Sequence, residues 1–296
     1  MAWHQCYEKI LPYIFSVETP DGWGSGFFFA YNETKSTAAF ATAAHVIAGA
    51  EDWKQPIKMR QHTTRKEIFL TDEQRFIYLD RKRDSASILI KSDAFELPAD
   101  VLPMLEPGKF KKIGVEVGWA GYPVIAHPHL CFFTGPLSAV LEDDDSYLID
   151  GVAINGVSGG PVFAQLKDSM PQILGTVSAY MPNRIGGDAL PGLLRAQDVT
   201  TFHKTIQTIK SIDDARKTRE EEEGINMISL GIYTTKDGKH YDCHFLSDEK
   251  MARAIGPLPS PGPEHVGARP VAFEVEAESA QEAKQKLAEA IGPGNW

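Results

Sequence analysis

The sequence predicts a mainly β protein over residues 1–210, closed by a helix and followed by a small α+β unit. Three observations carry this reading. Short apolar runs, alternating or continuous, recur at 10–17, 26–30, 38–42, 76–79, 86–90 and 115–120, the pattern of half-buried or fully buried strands. Turn formers separate the runs, as in Thr19-Pro-Asp-Gly22 and Tyr31-Asn-Glu-Thr34. No helical period of three and four persists across this stretch, which favours barrels or a sandwich.

Taken in order, the first strand group occupies about 10–95. The segment 96–109 holds Pro98, Pro103 and Pro107, and proline lacks the amide a strand ladder needs, so 96–112 is expected to link two barrels. The second barrel and its closing helix should then fill 113–210. Val199, Phe202, Ile206, Ile209 and Ile212 recur at spacings of three and four, an amphipathic stripe expected to pack on the barrels. The charge-dense run 216–223 reads as a solvated helix end within a linker, 211–224.

A separate module is expected over 225–296. Ile228, Leu230 and Ile232 alternate, Lys236-Asp-Gly-Lys239 offers a tight turn, and Tyr241, Cys243 and Phe245 alternate again, a hairpin signature. A proline-rich loop covers 257–270, and Val271, Phe273 and Val275 alternate as a further strand. Ser279 with Glu282 forms a capping box for a helix through Ile291.

With 296 residues, 43% of them hydrophobic, the chain can bury a large core. No stretch approaches eighteen uninterrupted apolar residues, and the opening MAWHQCYEKILPYIF lacks the basic start, apolar middle and small-residue cleavage site of a secretory leader. Cys6, Cys131 and Cys243 are an odd number at wide spacings, which suits a reducing compartment, so a cytoplasmic location is expected. The net charge of −10, from 40 acidic and 30 basic side chains, repels phosphate backbones and anionic membranes, disfavouring both as partners.

Hydrolysing an amide near neutral pH needs a nucleophile, a base that returns a proton to the leaving amine, and donors aimed at the developing oxyanion. Asn155-Gly-Val-Ser-Gly-Gly-Pro161 sets Ser158 among glycines that let the chain turn two amides, those of Gly156 and Ser158, into one small space. Thr42-Ala-Ala-His45 puts an imidazole where the chain leaves a strand, and Arg83-Asp84 puts a carboxylate at the start of another. Asp80 is the rival for the role of Asp84.

The patterns G-x-S-G-G-P, T-A-A-H and D-x-A-x-x-L, in the chain order His45, Asp84, Ser158, resemble the chymotrypsin (trypsin-like) serine protease family. Gly24-Ser-Gly-Phe-Phe28, Gly121-Tyr-Pro123, Thr134-Gly-Pro-Leu-Ser138 and Gly175-Thr-Val-Ser178 look similar to its disulfide-free bacterial members. The likeness covers roughly 10–210 and implies two six-stranded barrels sharing a cleft, a Ser-His-Asp triad and an acyl-enzyme, with no cofactor and no metal. By the same resemblance the pocket for the residue before the scissile bond is built from Val152, Ala153 and Asn155 and from Ser178, Ala179 and Tyr180. No carboxylate stands at its expected base, which disfavours Lys or Arg there and points to small or medium apolar side chains.

One departure concerns activation. Members activated by cleavage carry an aspartate just before the nucleophile, and this chain has Val157, so restraint is expected instead from a substrate or partner that orders the loop around Gly156. A polypeptide substrate and a regulatory protein bound through 225–296 are the expected partners. A silent scaffold of the same fold, serving as a protein-binding module, is the competing reading. His240, Cys243 and His244 in the hairpin, and His127 and His129 beside Cys131, are read as structural or cleft-rim residues.

Overall fold

The structure, a computed structural model, describes residues 2–151, 154–165, 170–185, 188–224, 228–234, 241–245 and 270–275, with side chains described up to 179 and over 193–218. The chain divides into two compact units, Met1–Ser211 and Ile212–Trp296.

The larger unit begins with a helix the strand-rich reading did not include, α1 (Trp3–Ile10), which buries Cys6 and Ile10. The first strand consequently starts later than position 10. Leu11–Tyr13 forms one tight helical turn around Pro12, whose missing amide suits a helical start better than a ladder. Then follow β1 (Ile14–Thr19), β2 (Gly22–Tyr31), β3 (Thr37–Thr42), a second unexpected helix α2 (Ala44–Asp52), β4 (Ile57–Gln61), β5 (Glu67–Leu70), β6 (Phe76–Asp80) and β7 (Ser85–Lys91). They pair as one seven-stranded sheet in the order β5-β4-β1-β2-β3-β7-β6, so this first lobe is a curled half-barrel with two edges.

β2 explains how the lobe is filled. Its run Phe27-Phe28-Phe29 is fully buried, and successive side chains on a strand face opposite ways. Phe28 turns inward onto Phe40 at 5.7 Å and Tyr31 at 4.7 Å, while Phe15 meets Phe40 and Phe95 edge-on at 4.9 Å each. Phe27 and Phe29 turn outward onto Phe202, at 5.7 and 5.1 Å. Burying each phenyl ring contributes roughly 1.5–3 kcal/mol.

Between the lobes, residues 96–115 contain no strand; a single parallel bridge joins Met104 to Ile173. The second lobe comprises β8 (Glu116–Gly121), β9 (Cys131–Leu141), β10 (Ser146–Ile149), β11 (Pro161–Ala164), β12 (Gln172–Ile185) and β13 (Asp188–Asp198). These close into a barrel in the order β10-β13-β12-β11-β8-β9, around Trp119, Leu137, Tyr147, Val162, Leu174 and Leu194.

Helix α3 (Thr200–Gly224) starts where the Asp198 carboxylate accepts the Thr200 amide at 2.8 Å, the bond expected of an N-terminal cap. Val199, Phe202 and Ile209 are buried on the first lobe's core. Ile212 is 57% exposed, so the buried stripe ends one turn earlier than its spacing predicts. In the second unit, β14 (Ile228–Thr234) lies between β15 (Tyr241–Phe245) and β16 (Pro270–Val275), antiparallel to both, with Leu230 opposite Phe245 and Phe273. The turn at 236–239 and the helix expected over 279–291 lie outside the described residues.

Candidate active site

The site is assembled from three chain segments of the larger unit. His45 is the second residue of α2, and Ala43, the residue just before the helix, supplies no side-chain cap. Asp84 takes that place from the β6–β7 turn: its Oδ1 accepts the His45 amide at 2.9 Å, and its backbone oxygen accepts the Ala44 amide at 3.1 Å. A carboxylate at the first turn of a helix is favoured by the helix dipole. The imidazole faces the same carboxylate, with Nδ1 3.0 Å from Oδ1 and 2.9 Å from Oδ2. Asp84 holds this position in the left-handed region, φ 47°.

A further hydroxyl completes the carboxylate's shell. Ser178 donates to Asp84 Oδ2 at 2.7 Å. The β12–β13 register shifts between Val177 and Ala179, and such a bulge re-aims the side chain it holds. Ser178, expected in the substrate pocket, therefore spends its hydroxyl on Asp84. Burial pushes the Asp84 carboxyl up, but the bonds from the His45 ring, Ser178 and the His45 amide outweigh this and leave it below its usual range. The hydrogen bond to Asp84 raises the His45 imidazole above its ordinary value despite partial burial. Asp80, the rival carboxylate, is occupied elsewhere, accepting from the Arg83 amide at 3.1 Å and from the Arg83 guanidinium and Thr201 hydroxyl at 3.3 Å each.

The third segment is the glycine-rich loop. Val157 donates its amide to Ile154 O at 3.0 Å while Gly156 sits at φ 94°, a turn of the type that needs glycine at its third position. A Cβ at Gly156 would also collide with Tyr122 O. Gly159, at φ 85°, packs where a Cβ would strike Ser25 O and Thr42 Oγ1, which brings the Ser158 loop against the strand end that carries His45. Gly24 lies between the same parts: a Cβ there would stand 2.6 Å from Val46 Cγ2 and 2.8 Å from Ser158 O.

Each of the two expected oxyanion amides belongs to a peptide whose carbonyl is tethered. Asn155 O accepts from Val124 N at 2.7 Å and Val157 O from Gly160 N at 2.9 Å. In a trans peptide N–H and C=O point opposite ways, so these bonds also fix the directions of the Gly156 and Ser158 amides, which donate to no acceptor among the described residues. The Ser158 hydroxyl likewise makes no hydrogen bond among the described residues. Beside His45 lies a cavity of about 360 Å³ walled by Thr19, Asp21, Trp23 and Val46. Trp23 stacks obliquely on His127, ring centres 5.1 Å apart.

Of the expected pocket residues, Val152 and Ala153 lie outside the described residues. Asn155 and Ala179 are exposed, and Tyr180 sits in β12 with its side chain outside the description. Sequence reasoning gave no role to Ser25, Arg83 or Tyr122, each of which touches a segment of the site. The motifs Gly24-Ser-Gly26 and Gly121-Tyr-Pro123 were the only signal pointing to two of them. No metal-holding group of three His, Cys, Asp or Glu side chains occurs among the described residues. In the tail, Cys243 and His244 stand opposite Ile232 and Gly231, and His240 lies outside the described residues.

Neither a family model nor a curated protein matches the sequence. Solved structures do match the fold. A serine endoprotease from Yersinia pestis aligns with a TM-score of 0.53 at 18% identity, over 82% of this chain and 74% of that one. Deg5 aligns with a TM-score of 0.51, also at 18% identity, over 68% of this chain and 90% of its own. The fold is therefore the trypsin-like two-barrel fold, a scaffold of serine endoproteases.

Proposed function

We propose that the chain is an intracellular serine endopeptidase that cleaves proteins or peptides through Ser158, His45 and Asp84. The observation that carries this reading is the imidazole held through Nδ1 by Asp84, with the tethered Ser158 loop packed against the strand that leads into it. Asp84 keeps the proton on Nδ1, which leaves Nε2 free to accept one. When substrate binds, the Ser158 hydroxyl attacks the scissile carbonyl and passes its proton to Nε2. The oxyanion takes the Gly156 and Ser158 amides, and the imidazolium protonates the departing amine. Water, deprotonated by the same imidazole, then splits the acyl-enzyme and regenerates Ser158. The cycle balances without a cofactor.

Catalytic contacts commonly tighten only on substrate binding, which is compatible with the unbonded hydroxyl of the resting site. Preference for small or apolar side chains before the scissile bond, and control by a partner acting through 225–296, belong to the same proposal. The tethers around Gly156 favour a site competent by itself toward small probes and short peptides, so control through 225–296 would act on the choice of protein substrate. Labelling with a fluorophosphonate, quantified per chain for the wild type and Ser158→Ala, tests the reading. Stoichiometric labelling of the wild type alone, with cleavage of a peptide library, is expected. Partial labelling raised by a cytoplasmic extract supports partner control, and no labelling under either condition overturns the peptidase reading in favour of a silent scaffold.

A further inference from the structure

We propose that the Ser25 hydroxyl, contributed by the opposite lobe, is a positioning residue that sets the direction of the Gly156 amide for oxyanion binding; the inference rests on the peptidase reading. Ser25 lies on β2 with no exposed surface. Its Oγ donates to Gly156 O at 2.8 Å and accepts the Tyr122 amide at 2.9 Å. Its main chain is equally committed, the amide to Ser158 O at 2.8 Å and the carbonyl to the Thr42 hydroxyl at 2.8 Å. One residue thus touches the loop on both sides of Val157 and the strand that leads to His45.

The consequence follows from peptide geometry. Gly156 is flanked by two planar units, and glycine imposes almost no preference on the angle between them. The unit before it is held by Val124 through Asn155 O, and the unit after it is held by Ser25 through Gly156 O. With both planes anchored, φ at Gly156 is fixed near 94° and its amide faces away from Val124. Without the hydroxyl, the second plane keeps only the Val157 amide bond to Ile154, and the buried Gly156 carbonyl and Tyr122 amide both lose their partner. The loop can then relieve them by rotating, which turns the Gly156 amide off the oxyanion.

The prediction separates positioning from simple stability. Ser25→Ala keeps the β-carbon and removes only the hydroxyl. Deleting one oxyanion donor outright typically costs about 10²–10³ in kcat, so a donor left misaligned should cost about 10- to 100-fold. The loss should fall on kcat per titrated site, with KM within about twofold, and a peptide boronate, which mimics the tetrahedral state, should bind weaker by a similar factor. Unchanged kcat per titrated site with a lowered melting temperature would show a purely structural role and overturn the proposal, as would unchanged boronate affinity. If Ser25→Ala does not fold, Ser25→Cys, a weak donor of similar shape, supports the same comparison. Ser158→Ala run in parallel distinguishes the two readings: retained activity there refutes the peptidase assignment, whereas an inert Ser25 change refutes only this one.

Discussion

His45 is held through both carboxylate oxygens of Asp84, so its protonated form is favoured and its pKa lies above the ordinary value. In the proposed mechanism attack by Ser158 needs the neutral ring, so turnover should be lost as pH falls through that raised pKa. A kcat/KM profile should therefore show an acid limb with its midpoint above about 6.5; a midpoint at or below that value contradicts the Asp84 contact. Asp84→Asn would place a donor against Nδ1, favouring the wrong tautomer, and should lower kcat by about 10⁴. Ser178→Ala removes one bond from the carboxylate and should cost far less, about three- to tenfold, measured as kcat in the same assay. The candidate triad residues were legible because each role demands a side-chain type that few residues supply, in patterns that survive in one dimension. The hydroxyls of Ser25 and Ser178 were not legible as supports. Their partners are Gly156 O, the Tyr122 amide and Asp84, which the fold brings near and no local spacing announces.

At the scale of elements, Arg83 binds the turn that carries Asp84 to the other lobe. Its Nε and Nη2 donate to Asp145 Oδ2 at 2.9 and 2.6 Å, while Nη1 holds Asp80. Arg83 is the residue directly before the left-handed Asp84, so the guanidinium braces a backbone conformation that a non-glycine residue seldom adopts. Arg83→Met should let that turn relax and lower kcat by about 10- to 100-fold, the scale of a small misplacement of a catalytic group. The side chain is 23% exposed, so the accompanying change in melting temperature should be modest; a stability loss without a kcat loss would refute the bracing role. The strands around Phe27, Phe40 and Ile88 were readable because their apolar runs are dense. Helix α2 was not, since Ala44-His-Val-Ile-Ala-Gly-Ala carries no strong local signal and starts on a carboxylate 39 positions away. In the second barrel, β9 contains Gly135 and Pro136 and β11 has only four residues, so local propensity there is weak and barrel closure decides.

At the scale of the whole molecule, both apolar cores formed by the described residues and all three candidate catalytic residues belong to the unit Met1–Ser211. That unit includes the start of α3, and Phe202 is what covers the outward faces of Phe27 and Phe29. Two truncations should therefore behave oppositely. A chain ending at Gly224 keeps all of α3 together with both cores and the three candidate catalytic residues, so it should cleave a short peptide with kcat/KM within about twofold of the full chain. A chain ending at Asp198 loses Val199, Phe202 and Ile209, and losing a buried phenyl ring alone costs about 3–5 kcal/mol, a large part of a typical domain's stability. It should aggregate or unfold by circular dichroism and show no labelling. If the chain ending at Gly224 folds yet fails to cleave the peptide, the second unit takes a direct part in catalysis. If it cleaves peptides but no longer the protein substrates of the full chain, residues 225–296 select substrates.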